Sequence, residues 1–264
     1  MRGLGLVTWN VLHRVHAENW EEPAIDLHLD DEPGRIAGVT ARVAALLAAD
    51  HDVVCLQEVS GDQLASLRAV LPEGTQLVVL RYPRVPAPRA GATHQATLAD
   101  PGEHLVTVVA AGRTIHAGPA AAFDDDPGKG YLTVDVASDV AAAPAAIRIV
   151  NTHVTYGSRA AGQLARLAVV ATAGPAAAVV AGDFNADRAA VAAGLGAGVA
   201  ARRALAVAVP PAPALPTRPR ATSDKSQDID HVVALGLRPL ACAVLAAGGL
   251  SDHNLVEARL DPEP

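Results

Sequence analysis

The sequence predicts an α/β layered sandwich that occupies residues 1–264 as a single domain. Strand-like apolar runs recur from one end of the chain to the other, and only a few helical segments interrupt them, which is typical of layered α/β folds. Half of the residues are hydrophobic, and a chain of 264 residues can bury one large core. The proline-rich segment Pro210–Pro219 is interpreted as a surface loop, because the polar motifs described below lie on both sides of it and would have to act together.

Four helices are predicted from apolar residues that recur about one helical turn apart. Val39 and Val43 show this spacing in the first helix, and Ser158 is a suitable N-cap for the third, which stops before Gly174–Pro175. The predicted helices are Arg35–Ala49, Asp62–Val70, Ser158–Thr172 and Asp187–Leu195.

Twelve strands are predicted from short apolar runs. Alanine and valine are abundant in the chain and aromatic residues make up 3% of it, so we expect a core of small aliphatic side chains. The predicted strands are Gly3–Val11, Asp52–Glu58, Gln76–Arg81, His104–Ala110, Thr114–Ala117, Tyr131–Val136, Ile147–Val154, Ala176–Phe184, Ala204–Val209, Ile229–Leu235, Leu240–Ala246 and Asn254–Leu260.

Charge and cysteine content limit the partners and the location that we expect. The formal net charge is −7, so the whole chain lacks the basic character of a protein that coats nucleic acid. The two cysteines, Cys55 and Cys242, are interpreted as reduced, buried thiols of a cytoplasmic protein, although the sequence leaves a disulfide between them open. No apolar run approaches the length of a membrane span, so no membrane insertion is expected. The sequence indicates no obligate protein partner.

Six strands carry polar residues of catalytic type at one end. Four strands have these residues at their C-terminal ends, namely Asn10; Glu58; Asn151 and His153; and Asp183 and Asn185. Two later strands have them at the start, namely Asp230, and Asp252 with His253. Strand ends of opposite direction meet at one edge of a sheet when the strands run antiparallel. We therefore expect all six ends to line one mouth of the sandwich.

Crowded carboxylates favour a bound cation at this mouth. Buried acids without partners are costly, and like charges raise their pKa values, whereas a divalent cation removes the conflict. Oxygen ligands from Glu, Asp and Asn suit Mg²⁺ or Mn²⁺, and no Cys/His set has the spacing of a zinc site. The sequence therefore predicts a Mg²⁺ or Mn²⁺ site beside a phosphate-ester substrate.

Taken in order, the six motifs resemble those of the endonuclease/exonuclease/phosphatase superfamily, whose members include deoxyribonuclease I-like proteins. The motifs are WN (Trp9–Asn10), LQE (Leu56–Glu58), NTH (Asn151–His153), GDFN (Gly182–Asn185), IDH (Ile229–His231) and SDH (Ser251–His253). The resemblance runs from residue 4 to about residue 260. It implies a four-layered α/β/β/α sandwich with two mixed, mainly antiparallel sheets.

The resemblance also implies roles for the residues that match. Glu58 resembles the main metal ligand of the family, and Asn10 and Asp252 resemble the residues that assist it. His253 resembles the base or electrostatic partner at the scissile phosphate, oriented by Asp230.

The remaining matches concern water and substrate. Asp183 and Asn185 resemble the pair that positions the attacking water or the phosphate. His153 resembles the second histidine of the deoxyribonuclease and sphingomyelinase branches. Asn151 and Lys129 are added as candidate substrate contacts; Lys129 lies in a GKG segment that lacks the rest of a P-loop motif.

Three segments depart from the pattern of the family. Gly102–Ala110 takes the place of a mid-chain Gly-Asn-Ala-Ile-Leu-Ser segment and matches it weakly. The acid-rich segment Val11–Pro33 has no clear counterpart, and His231 stands where tyrosine is commoner.

The predicted function is a divalent-metal-dependent phosphoesterase that hydrolyses a phosphodiester, in the manner of a nuclease, by direct attack of water. No G-x-S-x-G motif suggests a covalent intermediate. One alternative is a phosphatase or phosphodiesterase that acts on a small phosphorylated metabolite or a lipid headgroup. The other alternative is a catalytically silent binding module with the same fold. The complete set of site residues argues against it, because a silent relative would have lost some of them.

Nucleic acid is one candidate substrate. Basic residues that could hold its phosphates cluster in two loops, namely Arg81, Arg84 and Arg89, and Arg218, Arg220 and Lys225. The chain has two Trp, three Tyr and two Phe residues, which offer few stacking platforms for single-stranded bases.

Overall fold

Two β-sheets lie face to face in the computed structural model of this protein, and helices cover the outer face of each sheet. The structure describes residues 3–19, 31–89, 98–137, 146–199, 204–220, 222 and 226–262. The four-layered α/β/β/α sandwich expected from the sequence is confirmed.

The twelve strands and five helices of the described residues follow one another in an irregular α/β order. The strands are β1 (Leu4–Asn10), β2 (Val53–Ser60), β3 (Gln76–Arg81), β4 (Glu103–Val109), β5 (Ile115–Phe123), β6 (Asp126–Ala137), β7 (Ala146–His153), β8 (Ala177–Asp183), β9 (Leu205–Val207), β10 (Asp230–Leu235), β11 (Leu237–Leu245) and β12 (Leu255–Pro262). The helices are α1 (Arg14–Glu18), α2 (Glu32–Ala48), α3 (Gly61–Val70), α4 (Ala160–Thr172) and α5 (Arg188–Gly196).

Both sheets have six strands and are mixed. The strand order is β11-β12-β1-β2-β4-β3 in the first sheet and β5-β6-β7-β8-β10-β9 in the second. The neighbouring pairs β1–β2 and β7–β8 are parallel, and the other pairs are antiparallel. The expectation of mixed, mainly antiparallel sheets is therefore confirmed.

Three apolar layers hold the sandwich together. Between the sheets, Leu6 of β1 and Ile149 of β7 are among the fully buried side chains. On the outer faces, Val39 of α2 packs on the first sheet, while Leu164 and Leu167 of α4 pack on the second. Burying one such side chain stabilises the fold by about 1.5–3 kcal/mol.

The predicted helices and strands all have counterparts, with shifts at their ends. Helix α2 begins three residues earlier than predicted because the Asp31 side chain accepts a hydrogen bond from the Gly34 N–H and caps the helix. The predicted cap Ser158 is wrong, since α4 begins at Ala160 and its N-cap residue is Arg159. The short helix α1 was not predicted, because five residues give too little periodicity to recognise.

Cys55 and Cys242 are both buried and free, as expected. Within the described residues, no helix combines the length and the apolar character that crossing a bilayer requires.

Candidate active site

Strand pairing brings the polar strand ends together. In the second sheet, parallel β7 and β8 place His153 beside Asp183, and antiparallel β8 and β10 place Asp183 opposite Asp230. In the first sheet, β1 and β2 place Asn10 beside Gln57, next to Glu58. The topology therefore brings the polar ends of strands that run in opposite directions to one mouth of the sandwich, as predicted. A cleft of about 1080 Å³ opens there.

Asp183 lies at the centre of this site. Its Oδ2 accepts a hydrogen bond from Asn10 Nδ2 at 3.1 Å and lies 3.3 Å from His153 Nε2 and 3.9 Å from His253 Nε2. Burial alone would raise the pKa of Asp183, but the charges of His153 and His253 outweigh it and lower the pKa. The carboxylate is therefore ionised at neutral pH and joins side chains from both sheets.

Steric crowding explains why the GDFN motif begins with glycine. Gly182 has φ 154°, and a Cβ at this position would lie 1.9 Å from the backbone oxygen of Thr152. The close approach of β7 and β8 therefore requires glycine immediately before Asp183.

Asn185 is held by backbone contacts. Its N–H donates to Asp183 Oδ1 at 2.9 Å, and its Nδ2 donates to the Val154 carbonyl at 3.0 Å. Its φ of 47° lies in the left-handed region, which asparagine tolerates better than most residues. These bonds fix the side chain at 3.4 Å from His153 Nε2, at the wall of the cleft.

Glu58 reaches the cleft through an irregularity in β2. The register between β2 and β4 shifts between Leu56 and Val59, and Glu58 has φ 58°, a backbone conformation that costs a non-glycine residue about 1–3 kcal/mol. Its Oε2 accepts a hydrogen bond from the His13 N–H at 3.0 Å.

Basic side chains surround the other oxygen of Glu58. Its Oε1 lies 4.0 Å from Lys129 Nζ and 3.9 Å from His153 Nε2. Burial alone would raise the pKa of Glu58, but the charges of His16, Lys129 and His153 outweigh it and lower the pKa. Lys129 also contacts the His153 ring, with Nζ 2.6 Å from Nε2, so the structure places this candidate substrate contact inside the site.

His253 is oriented from behind by Asp230. Its Nδ1 lies 2.8 Å from Asp230 Oδ2, and Thr217 Oγ1 accepts the Asp230 N–H at 3.1 Å. Burial alone would lower the pKa of His253, but Asp230 and Asp252 outweigh it and raise the pKa to about 9. The imidazole is therefore protonated at neutral pH, with Nε2 directed into the cleft.

Two motif residues without a predicted role lock the loop that carries His253. Ser251 Oγ donates to the Asn10 carbonyl at 2.6 Å and accepts the His253 N–H at 3.1 Å. Trp9 Nε1 donates to the His253 carbonyl at 3.0 Å. The WN and SDH motifs are therefore one hydrogen-bonded unit, a relationship that their letters alone do not show.

Asp252 faces the cleft with one oxygen, Oδ1, that accepts no hydrogen bond from the described residues and lies 3.9 Å from His253 Nε2. Its Oδ2 accepts hydrogen bonds from Arg218 at 3.2 and 3.3 Å. Its Oδ1 is buried and has no hydrogen-bond partner among the described residues. A buried carboxylate oxygen of this kind is costly unless a cation or another donor meets it.

Oxygen atoms that a divalent cation could use come from three of the predicted metal ligands. Glu58 and Asp252 offer carboxylate oxygens, one of them unpartnered. Asn10 Oδ1 accepts the Leu12 N–H at 3.0 Å, and an amide oxygen keeps a second lone pair for a cation. Oxygen ligands of this type suit Mg²⁺ or Mn²⁺.

The geometry does not support Asn151 as a substrate contact. Asn151 is fully buried between the sheets, where its Nδ2 donates to the carbonyls of Leu56 and Val106 and its Oδ1 accepts a hydrogen bond from Gln57 Nε2. All its polar atoms are occupied by protein, because it lies one side-chain layer deeper than His153. Asn151 therefore supports the end of β2 rather than the substrate.

Arginine side chains form the rim of the cleft. The rim, as the name is used below, consists of Arg84, Arg89, Arg218 and Arg220. Arg81 instead forms an exposed ion pair with Asp100, with a separation of 3.0 Å, and Lys225 lies outside the described residues. Two further residues near Glu58 were not predicted: His16, which lines the cleft, and Glu103, which is buried behind it.

Known proteins resemble this chain in sequence profile and in fold. The profile of the endonuclease/exonuclease/phosphatase family matches residues 7–253. The comparison with curated protein sequences finds no match.

Several solved structures share the fold. An endonuclease/exonuclease/phosphatase from Bacteroides vulgatus superimposes with a TM-score of 0.69 at 18% identity and covers 100% of both chains. ANGEL2, a 2',3'-cyclic phosphatase solved with adenosine-2',3'-vanadate, gives 0.68 at 15% identity and covers 100% of this chain and 96% of its own. TDP2 of D. rerio, solved with a single-strand DNA product, gives 0.64 at 15% identity and covers 98% of both chains.

Proposed function

This chain belongs to the endonuclease/exonuclease/phosphatase family, and on that premise we propose that it is a divalent-metal-dependent phosphoesterase that hydrolyses a phosphodiester by direct attack of water. The observation that carries the proposal is the position of Asp183 Oδ2, within 4 Å of Asn10, His153 and His253. Glu58, Asp252 and Asn10 would hold the cation, which neutralises phosphate charge and stabilises the leaving oxygen when it is bound.

Asp183 is the proposed acceptor of the proton from the attacking water. The resemblance gives His253 as the base or electrostatic partner, but its raised pKa of about 9 keeps the imidazole protonated, whereas Asp183 is ionised and can accept a proton. Asn10 Nδ2 and Asn185, both within hydrogen-bond reach of the Asp183 carboxylate, orient the water for in-line attack.

The two histidines are proposed to bind phosphoryl oxygens. His253 is protonated and held by Asp230, so its Nε2 can donate to an oxygen whose charge increases in the transition state. Lys129, whose Nζ lies 2.6 Å from His153 Nε2, presents a second donor group beside Asp183, and His153 holds it there. The site therefore combines an ionised carboxylate at its centre with donors for the phosphoryl oxygens, as hydrolysis by water requires.

The rim supports a substrate with more than one phosphate, and nucleic acid is the proposed class. Arginines bind phosphates through two parallel hydrogen bonds. Arg84 pairs with Asp126 at 2.9 Å and Arg218 pairs with Asp252 at 3.2 Å, so the exposed Arg89 is the rim residue best placed to add positive charge beyond the reacting centre. The relative TDP2 was solved with a single-strand DNA product. The net charge of −7 favours the second candidate, a small phosphorylated metabolite.

Hydrolysis of bis-p-nitrophenyl phosphate tests the proposed function. We expect turnover with Mg²⁺ or Mn²⁺, none with EDTA, and a loss of about 10²–10⁴-fold for His253→Ala. His116→Ala is the matched control, because His116 is exposed on β5 and absent from the cleft. Turnover that survives both EDTA and His253→Ala would show the mechanism to be wrong.

A panel of DNA, RNA, nucleotide diesters, inositol phosphates and sphingomyelin under the same conditions identifies the substrate class. Turnover of DNA or RNA would indicate a nuclease, turnover restricted to nucleotide diesters or inositol phosphates an enzyme that acts on small metabolites, and turnover of sphingomyelin one that acts on a lipid headgroup. Absence of turnover throughout the panel, together with tight binding of one member, would indicate the silent binding module.

A further inference from the structure

We propose that His16, Glu58 and Glu103 form a second cation site in the cleft, which takes a transition-metal ion that accepts a histidine ligand, such as Mn²⁺ or Zn²⁺. The site shares Glu58 with the cation of the proposed function, but its existence does not depend on catalysis. One potential ligand atom from each residue lies within 4.8 Å of the other two. His16 Nε2 and Glu103 Oε2 are 2.9 Å apart.

These distances are close to those of a formed metal site. Metal bonds to nitrogen and oxygen ligands are about 2.0–2.2 Å long, so two ligands of one ion are at most about 4.4 Å apart. Three ligand atoms within 4.8 Å of one another therefore need only small movements to meet one ion. The fourth side faces the cleft, because His16 lines it and is one-quarter exposed.

Glu103 provides an independent reason for a cation. It is completely buried, yet only its Oε2 has a partner, and its Oε1 has no hydrogen bond among the described residues. A buried ionised oxygen without a donor is costly, because it loses its hydration and gains nothing in return. The His16–Glu103 pair leaves Oε1 without a partner, whereas a metal ion would replace the proton between His16 Nε2 and Glu103 Oε2, release it to solvent and bind both side chains.

Helix α1 holds His16 next to the carboxylates of Glu58 and Glu103, as the proposed site requires. His13 is its N-cap, and the His13 N–H donates to Glu58 Oε2 at 3.0 Å, so the helix begins directly on the carboxylate. The Arg14–Glu18 ion pair, at 2.9 Å, closes the same helical turn. The consequence is that His16 is held over Glu58 and Glu103 by backbone contacts rather than by its own charge alone.

The two new ligands lie where the chain departs from the pattern of its family. His16 belongs to Val11–Pro33, which has no clear counterpart, and Glu103 belongs to Gly102–Ala110, the weakly matching segment. An imidazole ligand also separates this site from the first, since Mg²⁺ prefers oxygen whereas Mn²⁺ and Zn²⁺ accept nitrogen. With Glu58 shared, two ions would lie side by side, as in two-metal hydrolases.

Titration of the metal-free full-length protein with Mn²⁺ and with Zn²⁺, followed by calorimetry, tests the proposal. We expect two ions per chain for the unaltered protein. Glu103→Gln and His16→Gln should each weaken one of the two binding events by at least about tenfold, while Asp252→Asn should weaken only the other.

The chain offers a matched control in His51–Glu257, a histidine–glutamate pair with a separation of 3.2 Å that has no third ligand in the described residues. Glu257→Gln should leave both binding events unchanged. His16 is partly exposed, so His16→Gln gives a folded variant for the measurement if Glu103→Gln does not fold.

Two results would overturn the proposal: one ion per chain in the unaltered protein, or two ions whose affinities are the same in His16→Gln and Glu103→Gln. Failure of the proposed function is distinguishable, because binding of two ions without hydrolysis leaves the metal site intact. Hydrolysis with a single bound ion would support the proposed function and contradict the second cation site.

Discussion

Asp183 and Asp230 are direct cross-strand partners on β8 and β10, yet their carboxylates point to different neighbours. Asp183 meets Asn10 and His153 at the floor of the cleft, whereas Asp230 lies behind His253 and bonds to its Nδ1. One antiparallel pairing thus supplies both the proposed proton acceptor and the residue that positions the protonated imidazole.

Asp230→Asn should lower kcat by about 10²–10⁴-fold while KM changes little. Asparagine keeps a hydrogen-bond partner for His253 but removes the negative charge that keeps the imidazole protonated. Steady-state kinetics on a diester substrate measure this, with Asp124→Asn in an exposed turn as the control. An unchanged kcat would contradict the positioning role.

Gly182→Ala should destabilise the fold by more than about 2 kcal/mol, because its Cβ would lie 1.9 Å from the Thr152 backbone oxygen. Gly162→Ala, within α4, has no heavy atom of the described residues within 4 Å of the new Cβ and should stabilise by about 0.5–1 kcal/mol. Urea unfolding of both variants measures the difference. Equal stabilities would show that β7 and β8 can separate at no cost.

Mg²⁺ should raise the melting temperature of the EDTA-treated protein, because a ligand that binds only the folded state stabilises it. The increase should be absent or much reduced in Asp252→Asn, which loses the carboxylate with the unpartnered oxygen. Thermal unfolding monitored by circular dichroism measures this. The same increase in both proteins would place Mg²⁺ elsewhere.

Arg89→Gln should raise KM for a nucleic-acid substrate several-fold and reduce the salt dependence of binding by about one phosphate contact, with little change in kcat. Arg89 belongs to the rim. Its proposed role is to bind substrate phosphate through its charge, and unlike Asp183 it is not a proposed reacting group. Arg68→Gln, exposed on α3, is the matched control. If both variants have the same KM, the rim does not bind substrate.

Stability should fall as the pH drops below the ordinary imidazole value, in part because of His231. Burial lowers the pKa of this histidine, whose Nε2 lies 3.0 Å from the Ala186 carbonyl. The unfolded chain therefore binds the proton first, and the stabilising contribution, complete above pH 6.5, is lost as the pH falls towards the folded-state pKa.

Urea unfolding at pH 7 and pH 5 measures this effect. His231→Tyr retains an aromatic ring beside Phe184, whose centroid is 5.8 Å from that of His231, and should lose less stability over this interval than the unaltered protein. An identical loss in both would assign the pH dependence to other groups.

The sequence was sufficient for most of the fold because local patterns and tertiary structure agree. Asp183 continues the alternation of Val179 and Ala181, whose side chains lie between the sheets, so its position at the cleft follows from period two. Glu58 is different: Val54 and Leu56, with which it shares a phase, pack against the helices. Only the irregular register of β2 turns Glu58 into the cleft, and that depends on pairing with β4.

The rest of the site could not be predicted, because the sequence shows neither how deeply a residue is buried nor which distant residues come into contact. Alternation gives Asn151 and His153 the same face, but it does not indicate which of them reaches the surface of the sandwich. His16 and Glu103 are 87 positions apart and have no motif, so their 2.9 Å contact follows only from the position of α1 beside Glu58 and Glu103 in the folded chain.

The hydrogen bonds from Ser251 to Asn10 and from Trp9 to His253 join residues more than 240 positions apart. During translation, every strand of the second sheet leaves the ribosome before Ser251–His253 do. A nascent chain therefore cannot form these two hydrogen bonds, and we expect no hydrolysis of a phosphate ester until Ser251–His253 have been synthesised.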